Sequence, residues 1–91
     1  MEEWKIEEVG RVLNEWNPLG EAAGKVKDLD GYRTEAIDII AIWPTRPNPQ
    51  RAAKIVMEVL TGAFSFYLLD LEAKDCTEAA AKISVILSRK H

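Results

Sequence analysis

The sequence predicts an all-α protein, a small four-helix bundle-like domain with short loops. Three observations carry that prediction. Apolar residues recur at helical spacing in four separate stretches, and a proline or a capping pattern bounds each stretch. The one segment aromatic enough to be a strand has no second segment to pair with. The 91 residues make a single domain, 1–91, with 47% apolar and 30% charged residues, an ordinary globular balance with enough apolar material for a real core.

The first helix runs from Glu2 to Trp16, with Ile6, Val9, Leu13 and Trp16 on one face and Val12 beside them. Glu7, Glu8, Arg11 and Glu15 form its wet side, and carboxylates at Glu2 and Glu3 suit the positive end of the helix dipole. Asn17 precedes Pro18 and is pushed out of the α region. Asn17-Pro18-Leu19-Gly20 has the residue preferences of a type I turn, which folds the following chain back towards the first helix. Residues 21–29 read as a loop or one frayed turn, because Gly24 and the short length work against a helix.

Asp30 is the expected N-cap of a second helix over Gly31 to Ile42, with Tyr32, Ala36, Ile39, Ile40 and Trp43 in register and Ile37 widening the buried face. Pro44 closes it. Thr45-Arg46-Pro47-Asn48-Pro49 is the clearest linker in the chain, and Asn48-Pro49 reads as N-cap and first residue of a third helix. That helix carries Ala52, Val56, Val59, Leu60 and Ala63 and extends to about Leu68, weakened at Gly62. The alternative for residues 64–71 is a strand paired between two copies of the chain. Asp75-Cys76-Thr77-Glu78 resembles a capping box opening the fourth helix. Ala79, Ala80, Ile83, Ile86 and Leu87 are its buried face, and Arg89 and Lys90 suit the negative pole of its dipole.

Several function classes are disfavoured. A formal charge of -3 and a pI near 5.1 oppose sequence-independent nucleic-acid binding, although Arg46, Arg51 and Lys54 make a local cationic group near the linker. Glu2, Glu3, Glu7 and Glu8 in the first residues, with no apolar core region among them, are unlike a secretion signal. No apolar run is long enough to cross a bilayer. The expectation is a cytoplasmic protein with no membrane attachment. Asp28-Leu29-Asp30-Gly31 matches the middle of a calcium-binding loop, but the outer ligand positions fall on Val26 and Ile37, so no metal site is expected. His91 is the only histidine. Neither Cys76, the sole cysteine, nor Ser65, Ser84 or Ser88 has an internal base to activate it. No enzyme activity and no cofactor are expected.

Trp16-Asn17-Pro18-Leu19-Gly20, followed by Tyr32-Arg33-Thr34-Glu35-Ala36, resembles the YugE-like family, small bacterial proteins with a helical fold and no established activity. The match spans roughly residues 6 to 42, and the second half agrees as a helical pattern. Asn17 stands where aspartate is common in that family, and Gly31 directly before Tyr32 is a second departure. The resemblance implies an all-α domain and brings no catalytic residues.

The functional expectation is a non-enzymatic protein-interaction module that binds another protein or its own copy. Phe64, Phe66, Tyr67, Leu68, Leu69 and Leu71 exceed what one helix face can bury, and such an excess marks interfaces. The candidate residues are Trp16, Asn17, Tyr32, Arg33, Glu35 and Trp43. The two tryptophans are expected to close one end of the bundle, or one of them to anchor a partner. Asn17, Tyr32 and Glu35 are expected to share a hydrogen-bond network that sets the angle of the first two helices. The alternative function is small-ligand binding or catalysis at that trio, with Arg33 at its rim.

Overall fold

The computed structural model describes residues 2–67 and 69–89. Four α-helices follow one another: α1 (Glu3–Trp16), α2 (Arg33–Ile42), α3 (Pro49–Ala63) and α4 (Thr77–Ser88), with short 3-10 turns between α1 and α2 and between α3 and α4, and an irregular linker between α2 and α3. Each helix packs on two others, α1 on α2 and α4, and α3 on α2 and α4. A ring of four helices therefore surrounds one core built from Val9, Leu13, Ile39, Val56, Leu60 and Ile83, all fully buried. No strand occurs among the described residues, and no helix among them is long and apolar enough to cross a membrane.

The end of α1 follows the turn chemistry. Asn17 takes a left-handed backbone, φ 51°, and its N–H bonds the Leu13 carbonyl at 2.8 Å, a role asparagine fills with less strain than most residues. The Gly20 N–H then closes the turn on the Asn17 carbonyl at 2.9 Å. Residues Gly20–Lys25 form a 3-10 stretch.

The start of α2 departs from expectation. Asp30, Gly31 and Tyr32 all have positive φ, at 46°, 62° and 65°. No α-helix passes through such a run, so α2 starts at Arg33, and Asp30 provides no side-chain cap. A left-handed residue costs about 1–2 kcal/mol when it is not glycine. Burial of the Tyr32 ring and two hydrogen bonds to its hydroxyl offset that cost.

At α3 the local signals prevail. Asn48 is extended, and its Oδ1 accepts the Arg51 N–H at 2.7 Å. The helix stops at Ala63, short of the expected Leu68, because Phe64 turns into the core and sets its ring edge-on to Tyr32, with centroids 6.0 Å apart. Gly62, just before the break, offers little helical resistance. Ser65–Tyr67 form a single 3-10 turn; the expectation of helix at Leu68 falls outside the described residues.

The capping box lies one turn earlier than predicted. Glu72 and Asp75 satisfy each other's backbone N–H groups around the 3-10 turn Ala73–Cys76, which leads into α4 at Thr77. Arg89 donates from Nη1 to both carboxylate oxygens of Glu8 of α1, at 2.8 and 3.0 Å.

Candidate functional site

Tyr32 links the turn after α1 to the start of α2. It is completely buried. Its hydroxyl donates to Asn17 Oδ1 at 2.7 Å and accepts the Leu19 N–H at 3.2 Å. The Asn17 amide in turn donates to the Gly20 carbonyl at 3.3 Å. Burial pushes the phenol pKa above its ordinary value, opposed by the Leu19 hydrogen bond and aided by the nearby Glu35 charge. The hydroxyl thus stays protonated and donates, which the short contact to Asn17 requires.

Glu35 does not join this network. It is 7% exposed, and its Oε1 has no hydrogen-bond partner among the described residues. Burial raises its pKa, its own backbone N–H works the other way, and the charge of Asp38 adds to the rise. The trio expected as a network is therefore a bonded pair with a carboxyl close by, one of whose oxygens, Oε1, lacks a partner among the described residues. Both hydroxyl contacts of Tyr32 and the Oδ1 of Asn17 are committed internally.

Arg33 lines a cleft of about 310 Å³ with Glu7, Arg11, Asn14 and Asp30. Its guanidinium grips Glu3 at 2.6 and 2.9 Å, a two-pronged contact that ties the start of α2 to the start of α1. That contact lowers the pKa of Glu3 and raises that of Arg33.

The two tryptophans sit at opposite ends of α4, so they do not close one end of the bundle together. Trp16 stands beside Asp75, Glu78 and Lys82 at a cleft of about 250 Å³. Trp43 stands beside Val85 and Leu87 at a larger cleft of about 650 Å³. Both rings are only partly buried.

The larger cleft is built from three elements. Ile40 and Trp43 come from the end of α2, Pro44 to Pro47 from the linker, and Ser84, Val85, Leu87 and Ser88 from the last turns of α4. Lys5 of α1 completes it. Pro44 ends α2, and Arg46 takes a left-handed backbone, φ 52°, which turns the linker at the mouth of the cleft. Val85 is 59% exposed, and neighbouring α2 leaves Ile42 56% exposed.

Among the described residues, the charged ones lining this cleft are Lys5 and Arg46, with no carboxylate beside them. The Lys5 ammonium lies 3.8 Å from Glu2 and 5.8 Å from the Trp4 ring. Arg46 has no ion-pair or hydrogen-bond partner among the described residues. The cationic group read from the sequence is thus regrouped: Arg46 joins Lys5, while Lys54 faces Glu58 on its own helix at 3.9 Å. Lys5 and Val85 carried one weak signal beforehand. Val85 is an apolar residue lying off the buried stripe of α4.

The aromatic excess at 64–71 divides. Phe64 is buried, Leu69 and Leu71 pack partly on the core, and Phe66 is 88% exposed with its ring edge-on to Tyr67. Cys76 is fully buried, and its thiol pKa is pushed up to about 11 by burial and by Asp75. No group of three or more histidine, cysteine, aspartate or glutamate side chains able to hold a metal ion occurs among the described residues. Comparison with protein-family models, curated proteins and solved structures finds no match to the chain.

Proposed function

We propose that this chain is a cytoplasmic, non-enzymatic protein-interaction module of the YugE-like kind. The observation that carries the reading is the cleft beside Trp43, whose apolar lining of Ile40, Trp43, Pro44 and Leu87 includes the exposed Val85. A half-buried tryptophan set among aliphatic side chains is the usual anchor point of a protein interface. The Tyr32–Asn17 bond supports the family kinship by giving the two halves of the resembling motif a reason to occur together. The cytoplasmic placement rests on composition, with one cysteine that is kept as a buried thiol,.

The test is affinity capture of the tagged protein and of its Val85→Glu variant, with mass-spectrometric identification. Specific partners are expected with the parent chain and are lost in the variant, whose melting curve stays unchanged. Identical recoveries would refute the reading. The alternative, a small-ligand or enzymatic role at Asn17, Tyr32 and Glu35, has the unpartnered Glu35 Oε1 in its favour. The hydroxyl of Tyr32 is already engaged twice.

A further inference from the structure

We propose that the cleft beside Trp43 takes an acidic peptide segment of a partner protein. One apolar side chain of that segment seats against Trp43 and Val85, and its flanking carboxylates are held by Arg46 and Lys5. This inference rests on the interaction-module reading and names the chemistry of the partner.

Charge is the first argument. The chain as a whole carries a formal charge of -3, yet the charged side chains lining this cleft among the described residues are both cations. Such a local reversal attracts an anionic segment and repels a basic one, which is how interfaces select among partners of similar shape.

Arg46 supplies the second argument. A guanidinium presents donors in a fixed fork that matches a carboxylate, and two of the other four arginines are held by one, whereas Arg11 and Arg51, like Arg46, have no ion pair among the described residues. Arg33 grips Glu3 and Arg89 grips Glu8. Arg46 grips nothing among the described residues, while a left-handed backbone holds it at the mouth of the cleft. The Lys5 ammonium lies over the Trp4 ring and makes a long ion pair with Glu2, at 3.8 Å, a surface pair that a better-placed carboxylate displaces at little loss.

Size and surface supply the third. About 650 Å³ accommodates a side chain or two together with their backbone. The apolar wall of Trp43, Pro44 and Val85 rewards burial of a leucine or an aromatic residue. A nucleic acid fits less well. The cations are few, the surrounding charge is negative, and Trp43 stands without a ladder of aromatic partners for stacked bases.

The experiment is a fluorescence-anisotropy screen of short labelled peptides against the full chain. Each peptide has a central leucine, phenylalanine or tryptophan, flanked by glutamate and aspartate, by glutamine, or by lysine; a single-stranded RNA oligonucleotide is a separate arm. Acid-flanked peptides are expected to bind at least about tenfold more tightly than glutamine-flanked ones. Arg46→Glu removes that preference, and Val85→Glu removes binding altogether. Both positions are at the surface, and a thermal melt matching the parent chain certifies the fold of each variant.

Three results overturn the proposal: equal binding of acidic and neutral peptides, preferential binding of the RNA, or no acidic peptide bound. If neutral peptides bind as well as acidic ones and Val85→Glu abolishes both, the interaction module stands and the acidic partner falls. If no peptide binds and affinity capture is indifferent to Val85→Glu, both fall. Sedimentation of the unliganded chain adds one more outcome. Self-association that Arg46→Glu abolishes would place a second copy in the cleft and overturn the separate partner.

Discussion

Replacing Tyr32 by phenylalanine removes one oxygen atom and leaves the ring in place. The apolar burial of residue 32 and its edge contact with Phe64 are retained, so the change isolates the hydroxyl. Two hydrogen bonds are lost, the donation to Asn17 Oδ1 and the acceptance from the Leu19 N–H. They differ in cost. Asn17 is exposed, so its freed oxygen takes up water and loses about 0.5 kcal/mol. Leu19 is buried, so its N–H is left without a partner, a penalty of about 1–3 kcal/mol. The sum is about 2 kcal/mol. For a domain of this size that lowers the urea midpoint by about 1–2 M and the melting temperature by roughly 8–16 °C. Chemical denaturation followed by far-ultraviolet circular dichroism measures it. A midpoint within about 0.2 M of the parent chain at an unchanged slope would refute the reasoning. A double-mutant cycle with Asn17→Ala is the stricter check. It should show coupling of about 0.5 kcal/mol or more, and strict additivity would mean that the two groups do not interact.

Three further outcomes are expected of this fold. Glu35 has its pKa raised above the ordinary 4.5 by burial, so the folded chain holds that proton more tightly than the unfolded chain. Stability therefore falls as pH climbs from about 4.5 through the raised value, and Glu35→Gln removes that part of the fall. Urea midpoints of the two proteins that stay parallel from acid to neutral pH would contradict this. Cys76, with its thiol pushed up to about 11 and no exposed surface, should resist iodoacetamide in the folded state and react promptly in denaturant; rapid native labelling, read by mass spectrometry, would disprove its burial. Asn48→Ala deletes the cap on the Arg51 N–H and should cost about 1 kcal/mol, whereas Asn48→Ser should restore most of it by thermal melt.

Much of the architecture was legible in residue order because it rests on local rules. Asn48-Pro49 starts α3 where proline geometry and an amide cap require it, and Asn17-Pro18-Leu19-Gly20 turns where its residue types predict. The misreadings share one physical cause, which is that contacts distant along the chain outweighed a plausible local pattern. Asp30 looked like a cap, but the reach of Tyr32 to Asn17 forces a left-handed run through Asp30 and Gly31. Phe64 looked like one more helical residue, but its packing against Tyr32 ends α3. Asp75 could pair forward with Glu78 or backward with Glu72, and nothing local decides between them. At the cleft, Trp43 and Arg46 were visible as single residues. Their companions Lys5 and Val85 come from the two outer helices, and only the assembled ring of helices brings them together.

The Asn17–Tyr32 bond spans 15 positions in the chain, and that short separation has a kinetic consequence. Closing so small a loop takes little entropy and little time. The α1 turn can therefore meet Tyr32 before α4, whose Arg89 contact with Glu8 spans 81 positions, has been gathered in. The expected order is the α1–α2 corner early and the closure of α4 onto α1 last, with α3 and α4 able to pair as chain neighbours in between,. A substitution at Tyr32 slows the forward reaction, whereas one at the Arg89–Glu8 clasp hastens the reverse. The turn that orders the native structure also orders the route to it.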